Sequence, residues 1–404
     1  MGKEQRRMEV YDAEARYYPS GTLALEQLAH WIAFSRVLGI GPVRFQRLLD
    51  YFQDDARAAW LAESKELAQA GLEQKIIERF QQQRIQIKPL YELERLYKLQ
   101  VKVITWRDNT YPPLLRKIEY APPVLYICGT LIPDDFIYSI GVVGTRKMSA
   151  YGRHVTETFT RDLVHGSMTI VSGLALGIDT VAHTTALNQG GRTIAVMASG
   201  LDVIYPTQNR ALAARIAESG QGALLTPFPL GVNPEAGNFP ARNHIISGLS
   251  LGILVVEAPN RSGSLITANS ALTQGREVYA VPANITAKGS EGVNKLIRDG
   301  AHPVTCVADI LEHLNIHAIP TQPVANPNKQ PTLWAPPTAP VRQPANDEER
   351  TICATLSDQP LHIDEIIRKA QLPAHAITSL LTIMELDGMV RQIKTMCYIR
   401  TVEE

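Results

Sequence analysis

Ser139-Ile140-Gly141-Val142-Val143-Gly144-Thr145-Arg146, followed by Lys147-Met148-Ser149-Ala150-Tyr151-Gly152, is the stretch whose reading decides the fold. The apolar run of Ile140, Val142 and Val143 ends in a small-residue turn, and a polar stretch of helical character starts near Tyr151. This is the pattern of a buried strand, a tight turn and a helix N-terminus, where free backbone N–H groups and the helix dipole favour an anion. Gly144 would let a ligand approach the backbone, and Arg146 adds a planar, permanently charged fork suited to phosphate. The spacing is Gly-x-x-Gly-Thr-Arg, not the Gly-x-Gly-x-x-Gly of dinucleotide binders. Alone, such a turn is more often a packing device than a ligand site.

Outward from this stretch the chain alternates between the two periodicities. Strands are predicted at 139–144, 168–172, 193–198, 223–226, 252–257 and 277–281, with helices at 151–165, 177–189, 208–219, 242–249 and 263–274. Strands apolar on both faces imply a mostly parallel sheet covered by helices on both sides, a Rossmann-like, doubly wound α/β core. Ligands of such folds sit at the carboxyl ends of the strands. This core, with a short N-terminal extension, is assigned to residues 100–315. Strand-like pieces at 101–105 and 124–128 flank proline turns within the extension.

Before it, residues 22–90 read as an N-terminal helical domain of the SAM or helix-hairpin-helix kind, preceded by a tail at 1–21. Its first helix stops at Leu38-Gly39-Ile40-Gly41-Pro42, a hairpin of the sort whose amides grip a nucleic-acid phosphate. Such hairpins also serve as packing modules, and the packing reading is preferred. After the core, residues 316–346 carry prolines among Thr, Gln, Asn and Ala and read as a Pro-rich linker. Residues 347–404 then give helices at 348–356, 362–370 and 373–387 and a closing hairpin, the order of a small winged-helix domain. Its candidate recognition helix, Ala374 to Asp387, has only His375 as a basic residue, which argues against strong duplex binding.

The 404 residues contain 45% hydrophobic and 20% charged residues, with 40 basic against 40 acidic. A nucleic-acid binder of this balance needs a local basic groove, not a basic body. Cys128, Cys306, Cys353 and Cys397 are scattered, as reduced thiols of a cytoplasmic protein would be. The N-terminus leads into no apolar segment and no run of 18 or more apolar residues occurs, so neither a signal peptide nor a membrane span is expected.

Small and polar residues mark every strand end. Ser172-Gly173, Ser199-Gly200, Asn238-Phe239-Pro240-Ala241-Arg242-Asn243 and Ser262-Gly263-Ser264 converge on one edge of one sheet. Such a row of amide nests suits successive phosphates. Arg146 and Arg242 would supply charge, and Phe239 a face on which a base could stack.

Enzymatic readings fare worse. The second core strand ends Val171-Ser172-Gly173, without the acid that grips a ribose in dinucleotide sites, and no Walker pattern occurs. Asp179 and His183 could mimic an acid–base pair, but the favoured reading has Asp179 tying down the glycine turn and His183 packing. Asp202 and Tyr205 read as turn formers. Glu257 could be a general base, which leaves a nucleotide-processing, phosphoribohydrolase-like enzyme as the alternative. No metal-ligand spacing of His and Cys is seen.

The ordered motifs Gly144-Thr145-Arg146; Ser172-Gly173-x-Ala175-x-Gly177-Ile178-Asp179-x-x-Ala182-His183; Asn238-Phe239-Pro240-x-Arg242-Asn243; Ile246-Ser247-Gly248-Leu249-Ser250; and Ser262-Gly263-Ser264-Leu265-Ile266-Thr267-Ala268 strongly resemble the DprA/Smf family. Asn294-x-Leu296-Ile297-x-x-Gly300-Ala301 extends the resemblance, which covers roughly residues 100–315 closely. It implies a DNA-processing protein of natural transformation that binds single-stranded DNA without sequence preference. Such a protein shields the strand from nucleases and helps load a RecA-type recombinase, typically as a homodimer, without being an enzyme or needing a cofactor or metal. By position, Gly144, Thr145, Arg146, Ser172, Gly173, Phe239, Arg242, Asn243, Gly263 and Ser264 would meet the DNA. Arg146 and Arg242 would be the phosphate contacts, Phe239 the stacking platform, and the turns at 144, 173 and 263 the backbone donors. Three departures stand out: His244 where many members have Arg, Thr184 where a basic residue is frequent, and Ala283 for a common glycine. The first two are expected to weaken DNA affinity, the third to affect a turn.

Overall fold

The computed structural model describes residues 23–287, 289–316, 347–356 and 361–370, and further along 372–373, 376–377, 380–381, 384, 390–394 and 397–400. The expected tail at 1–21, nearly all of the linker at 316–346 and much of the helix expected over 373–387 lie outside these residues. The chain divides into two compact units, Met1–Gln322 and Pro323–Glu404, and each is described by itself.

Among the described residues, the first unit opens with six helices, α1 (Leu25–Ser35), α2 (Pro42–Tyr51), α3 (Ala56–Leu61), α4 (Ser64–Gln69), α5 (Gln74–Arg84) and α6 (Pro89–Lys98). Gly39, at φ +100°, makes the bend between α1 and α2 that a side chain would strain, and Pro42 starts α2 where its missing N–H costs nothing. Arg44 of α2 donates to the Gly39 carbonyl and Gln83 of α5 accepts from the Leu38 amide, so the turn is tied to both helices. Residues 56–69 form two helices because Ala62 leaves the helical region and Glu63 begins a new capped turn.

These helices share their core with the sheet. Trp31, Phe34, Phe45, Trp60 and Phe80 form one apolar cluster with Tyr126 and Leu224 of the strands and with Met197, which follows the Thr193–Val196 strand. Ser35 Oγ lies 2.6 Å from Tyr126 Oη, and Arg36 donates to the Leu230 carbonyl at 3.0 Å.

The sheet is built from β1 (Lys102–Thr105), β2 (Val124–Gly129), β3 (Ser139–Val143), β4 (Thr169–Ser172), β5 (Thr193–Val196), β6 (Gly222–Thr226), β7 (Gly252–Val255), β8 (Glu277–Ala280) and β9 (His302–Pro303). Between them run α7 (Pro113–Arg116), α8 (Ala150–His165), α9 (Ile178–Asn188), α10 (Arg210–Glu218), α11 (Asn238–Leu249), α12 (Gly263–Thr273) and α13 (Glu291–Arg298), and α14 (Val307–His313) follows β9. The nine strands lie in the order β1-β2-β6-β5-β4-β3-β7-β8-β9. From β6 to β9 every pairing is parallel, whereas β2 runs antiparallel to both β1 and β6. One face is packed by α7, α11, α12 and α13, the other by α8, α9 and α14. The Rossmann-like, doubly wound core is therefore present. Its extension does more than lead in: β1 and β2 widen the sheet beyond β6.

The topology fixes where a ligand can sit. Successive strands move outward from β3 through β4 and β5 to β6, and the chain then returns to place β7 on the other side of β3. The connections after β3 and β7 depart to opposite faces, which opens a crevice at the carboxyl end of β3. That is where Gly144-Thr145-Arg146 lies.

The second unit holds α15 (Asp347–Thr355), β10 (Leu361–His362), α16 (Ile363–Ala370), β11 (Val390–Lys394) and β12 (Cys397–Arg400), with strand order β10-β12-β11. Ile352, Leu356, Ile366, Ile377, Leu381, Met384 and Val390 form its core. Helices with a small antiparallel sheet in this order are a winged-helix arrangement.

Candidate functional site

A cleft of about 600 Å³ occupies the crevice. Gly144, Thr145, Arg146, Phe239, Arg242, Asn243, Gly263 and Ser264, all named from the sequence, line it together. Lys147, Pro240 and Arg261 line it as well. Arg146, Lys147 and Arg261 are exposed and so can reach a ligand. Sequence reasoning had missed Lys147 and Arg261. The signal available was that each adjoins a strand-end turn, Lys147 after Gly144-Thr145-Arg146 and Arg261 before Ser262-Gly263.

Phe239 is the centre of the aromatic part. The Arg146 and Arg242 guanidinium carbons lie 5.5 and 5.7 Å from its ring centroid, and Tyr205 meets it edge-on at 5.9 Å. The ring is held by two cation–π contacts and one aromatic contact. It lies inside α11, which starts at Asn238 and not at the expected 242. Pro240 is compatible with this start, because within the first turn of a helix a missing N–H breaks no internal hydrogen bond.

Several expected contacts are corrected. Arg242 is 5% exposed, and its Nη1 donates to the carbonyls of Gly173 and Val196, the latter at 3.0 Å. It bolts together the ends of β4 and β5, so its charge is felt from below the cleft floor and is not an open grip. Burial lowers its guanidinium to about 10, against the pull of Asp179, so it stays charged at neutral pH. Ser172 is fully buried, its hydroxyl donating to the Val142 carbonyl at 2.7 Å, and it does not face the cleft. The Gly173 amide is not free either: it donates to Asp179 Oδ2 at 3.1 Å, and Ala175 does so at 3.3 Å. Asp179 thus ties down the glycine turn, as read from the sequence, while burial pushes its carboxyl up.

The glycines divide by what surrounds them. A Cβ on Gly144 would stand 2.5 Å from Ile178 Cγ1 and 2.9 Å from the Glu257 carbonyl, so its smallness serves packing and not ligand approach. At Gly173 a Cβ would collide with the Arg242 guanidinium. Gly263 has open space around it and sits at the start of α12, behind the Ser262 cap. Of the glycines at 144, 173 and 263, the last alone has open space where a side chain would stand. Beside it, Asn243 donates to the Gly263 carbonyl at 3.2 Å, and the Ser264 hydroxyl meets that of Ser262 at 2.7 Å. The Thr145 amide is bonded to the Glu257 carbonyl at 2.7 Å, and its hydroxyl accepts from the Lys147 amide at 3.2 Å.

Glu257, the one candidate base, is corrected too. Its carboxylate accepts from the amide and hydroxyl of Ser149, both at 3.0 Å, at the cap of α8. A Cβ on Gly152 or Gly289 would collide with the same carboxylate, so it is enclosed on both sides. His183 is packed as expected, with Nδ1 2.7 Å from Thr193 Oγ1, and burial lowers its pKa from 6.5 to about 3. Asp202 accepts from the Gly231 amide at 2.8 Å, a turn former. Of the departures, His244 is held between the Glu119 carbonyl and Gln274, and Thr184 lines a separate hollow with Arg153 and Arg161.

Fold and site together define a Rossmann-like protein whose switch-point cleft presents exposed cations around one aromatic ring. Residues 102–315 match the family model described as DNA recombination-mediator protein A, and residues 336–394 match the DprA winged helix domain. The chain belongs to the DprA/Smf family. It is 37% identical over 402 residues to Protein Smf of Synechocystis, covering 94% of this chain and all of the relative. It is 41% identical to DNA processing protein DprA of Bacillus subtilis, over 53% of this chain and 71% of the relative. The crystal structure of DNA processing protein A from Streptococcus pneumoniae is 34% identical, with a TM-score of 0.62, covering 70% of this chain and 97% of that one.

Proposed function

We propose that this protein is a DNA-processing protein that binds single-stranded DNA, without sequence preference, in the switch-point cleft. The observation that carries this reading is the grouping of exposed Arg146, Lys147 and Arg261 around partly exposed Phe239 at the mouth of one cleft. Cations tracking a backbone beside an aromatic platform suit a single strand, whose bases are free to stack. Membership of a family described as a DNA recombination mediator supports the same reading. In it, Arg146, Lys147 and Arg261 hold phosphates, Phe239 stacks a base, and Gly263 with Ser264 and Asn243 lines the strand's path. Arg242 positions Phe239 and adds field from beneath.

The wider role we propose is protection of incoming DNA and loading of a RecA-type recombinase during natural transformation, by a cytoplasmic homodimer acting without catalysis. The phosphoribohydrolase-like alternative is disfavoured because Glu257 is committed to the α8 cap. Titration of labelled oligonucleotides, single- and double-stranded, tests the binding claim. Tighter single-strand binding by the full chain, weakened in Arg146→Ala, is expected. Equal affinity for both forms, or turnover of a nucleoside monophosphate lost in Glu257→Gln, would overturn it. Deleting 347–404 is expected to change duplex binding only modestly.

A further inference from the structure

On the rim of the sheet away from the cleft, three side chains from three segments converge. Glu277 opens β8 at its amino end, His302 opens the edge strand β9, and His313 ends α14. The parallel register pairs Tyr279 with His302, and the period of two puts Glu277 on the same face as Tyr279. Tyr279 belongs to the cluster packed by Val307 and Ile310 of α14, whose last turn delivers His313 to the same spot. His302 Nε2 is 3.1 Å from Glu277 Oε2, His313 Nδ1 is 4.0 Å from that oxygen, and all three potential ligand atoms lie within 4.8 Å of one another. The two imidazole centroids are 3.8 Å apart.

We propose that Glu277, His302 and His313 bind a zinc ion, with the fourth position left to water. Bonds of about 2.0–2.2 Å at tetrahedral angles separate ligand atoms by about 3.3 Å. The Glu277–His302 distance already meets that separation, and His313, an exposed side chain, must move by less than its own rotamer freedom allows. Two imidazole nitrogens and one carboxylate suit zinc, whereas calcium and magnesium prefer all-oxygen sets. The ion would pin the C-terminal end of α14 to the edge formed by β8 and the two-residue β9, a short strand with a single neighbour. It lies away from the cleft, so its occupancy is independent of DNA binding.

The test uses the full chain, stripped with a chelator and titrated with Zn²⁺ against a chromophoric zinc indicator. One zinc per chain and a raised thermal midpoint are expected, with affinity falling by more than about tenfold in Glu277→Gln and His302→Ala. His313→Ala alters an exposed helix end, keeps the far-ultraviolet spectrum and should lose the zinc-dependent shift while retaining oligonucleotide binding. Visible Co²⁺ bands typical of nitrogen and oxygen ligands should disappear in the same variant. Equal zinc affinity in wild type and His313→Ala overturns the site. So does binding that persists in that variant but vanishes in Cys306→Ser.

Discussion

Arg146 and Phe239 do different work in the cleft and should fail differently. Arg146 is exposed, so removing it takes away charge and one of the two cation–π contacts on Phe239 but disturbs no buried packing. Arg146→Ala should weaken single-strand binding and lower the slope of log affinity against log salt by about 0.7 for each phosphate released. Fluorescence anisotropy at several salt concentrations reads both, and an unchanged slope would refute the assignment. Phe239→Ala should leave the slope alone and cost about 1–3 kcal/mol of binding, the range for losing one stacked base. A loss of that size accompanied by a reduced slope would mean that Phe239 acts by orienting Arg146. Arg242 belongs to neither class. Its replacement leaves the carbonyls of Gly173 and Val196 without their donor and an acid, Asp179, without its buried counter-charge, so it should destabilise the fold before it reports on DNA.

At the scale of elements, α8 is held by an interlocked start: the Ser149 hydroxyl accepts from the Gly152 amide and donates to Glu257. Ser149→Ala should cost about 1 kcal/mol, the usual effect of losing a cap, and somewhat more if Glu257 loses its partner as well. Gly152→Ala forces a methyl onto the Glu257 carboxylate and should cost about 1–3 kcal/mol. Urea midpoints with unchanged slopes would verify both, and a neutral Gly152→Ala would show that Glu257 can swing away.

The core elements were legible because a parallel sheet buried on both faces writes itself as apolar runs of fixed spacing, and Ile140, Val142 and Val143 are such a run. Helix α6 was not, since Leu90 and Tyr91 stay exposed and its charges blur the stripe. The antiparallel pairing of β2 with β6 was beyond reach, because the partners are far apart in sequence and no local pattern encodes the match. In the site, residue types announced the cleft, but burial chose among them. Arg146 and Arg242 look equivalent as letters, and only packing separates the open cation from the bolt.

For the whole molecule, buried titratable groups set the response to acid. Burial keeps His183 neutral down to about pH 3, whereas in the unfolded chain it takes up a proton near 6.5. The native state's advantage from this residue is complete above pH 6.5 and is lost as pH falls toward 3, by about 1.4 kcal/mol per unit. Asp179 acts with the opposite sign, since its raised carboxyl favours the folded form as pH falls. Denaturation of the wild type and of His183→Asn across pH 4 to 7 separates the two, and the variant should show the flatter acid limb. An identical slope in both would place the acid sensitivity elsewhere.

The position of β3 has one more consequence. Its two neighbours are β4, which follows at once, and β7, which pairs Ile140 with Gly252 after a long excursion, while the Ser139 hydroxyl donates to the carbonyl of Leu249 at the end of α11, 110 residues away. A chain emerging from the ribosome can therefore pair one side of β3 early, but must wait for the return strand before the crevice exists. Closing so long a loop is slow compared with forming local hairpins and helices. During that interval Ile140 and Val142 lie along an unpaired edge, open to wrong pairing until β7 arrives. The feature that creates the cleft thus also delays the pairing of the strand at its base.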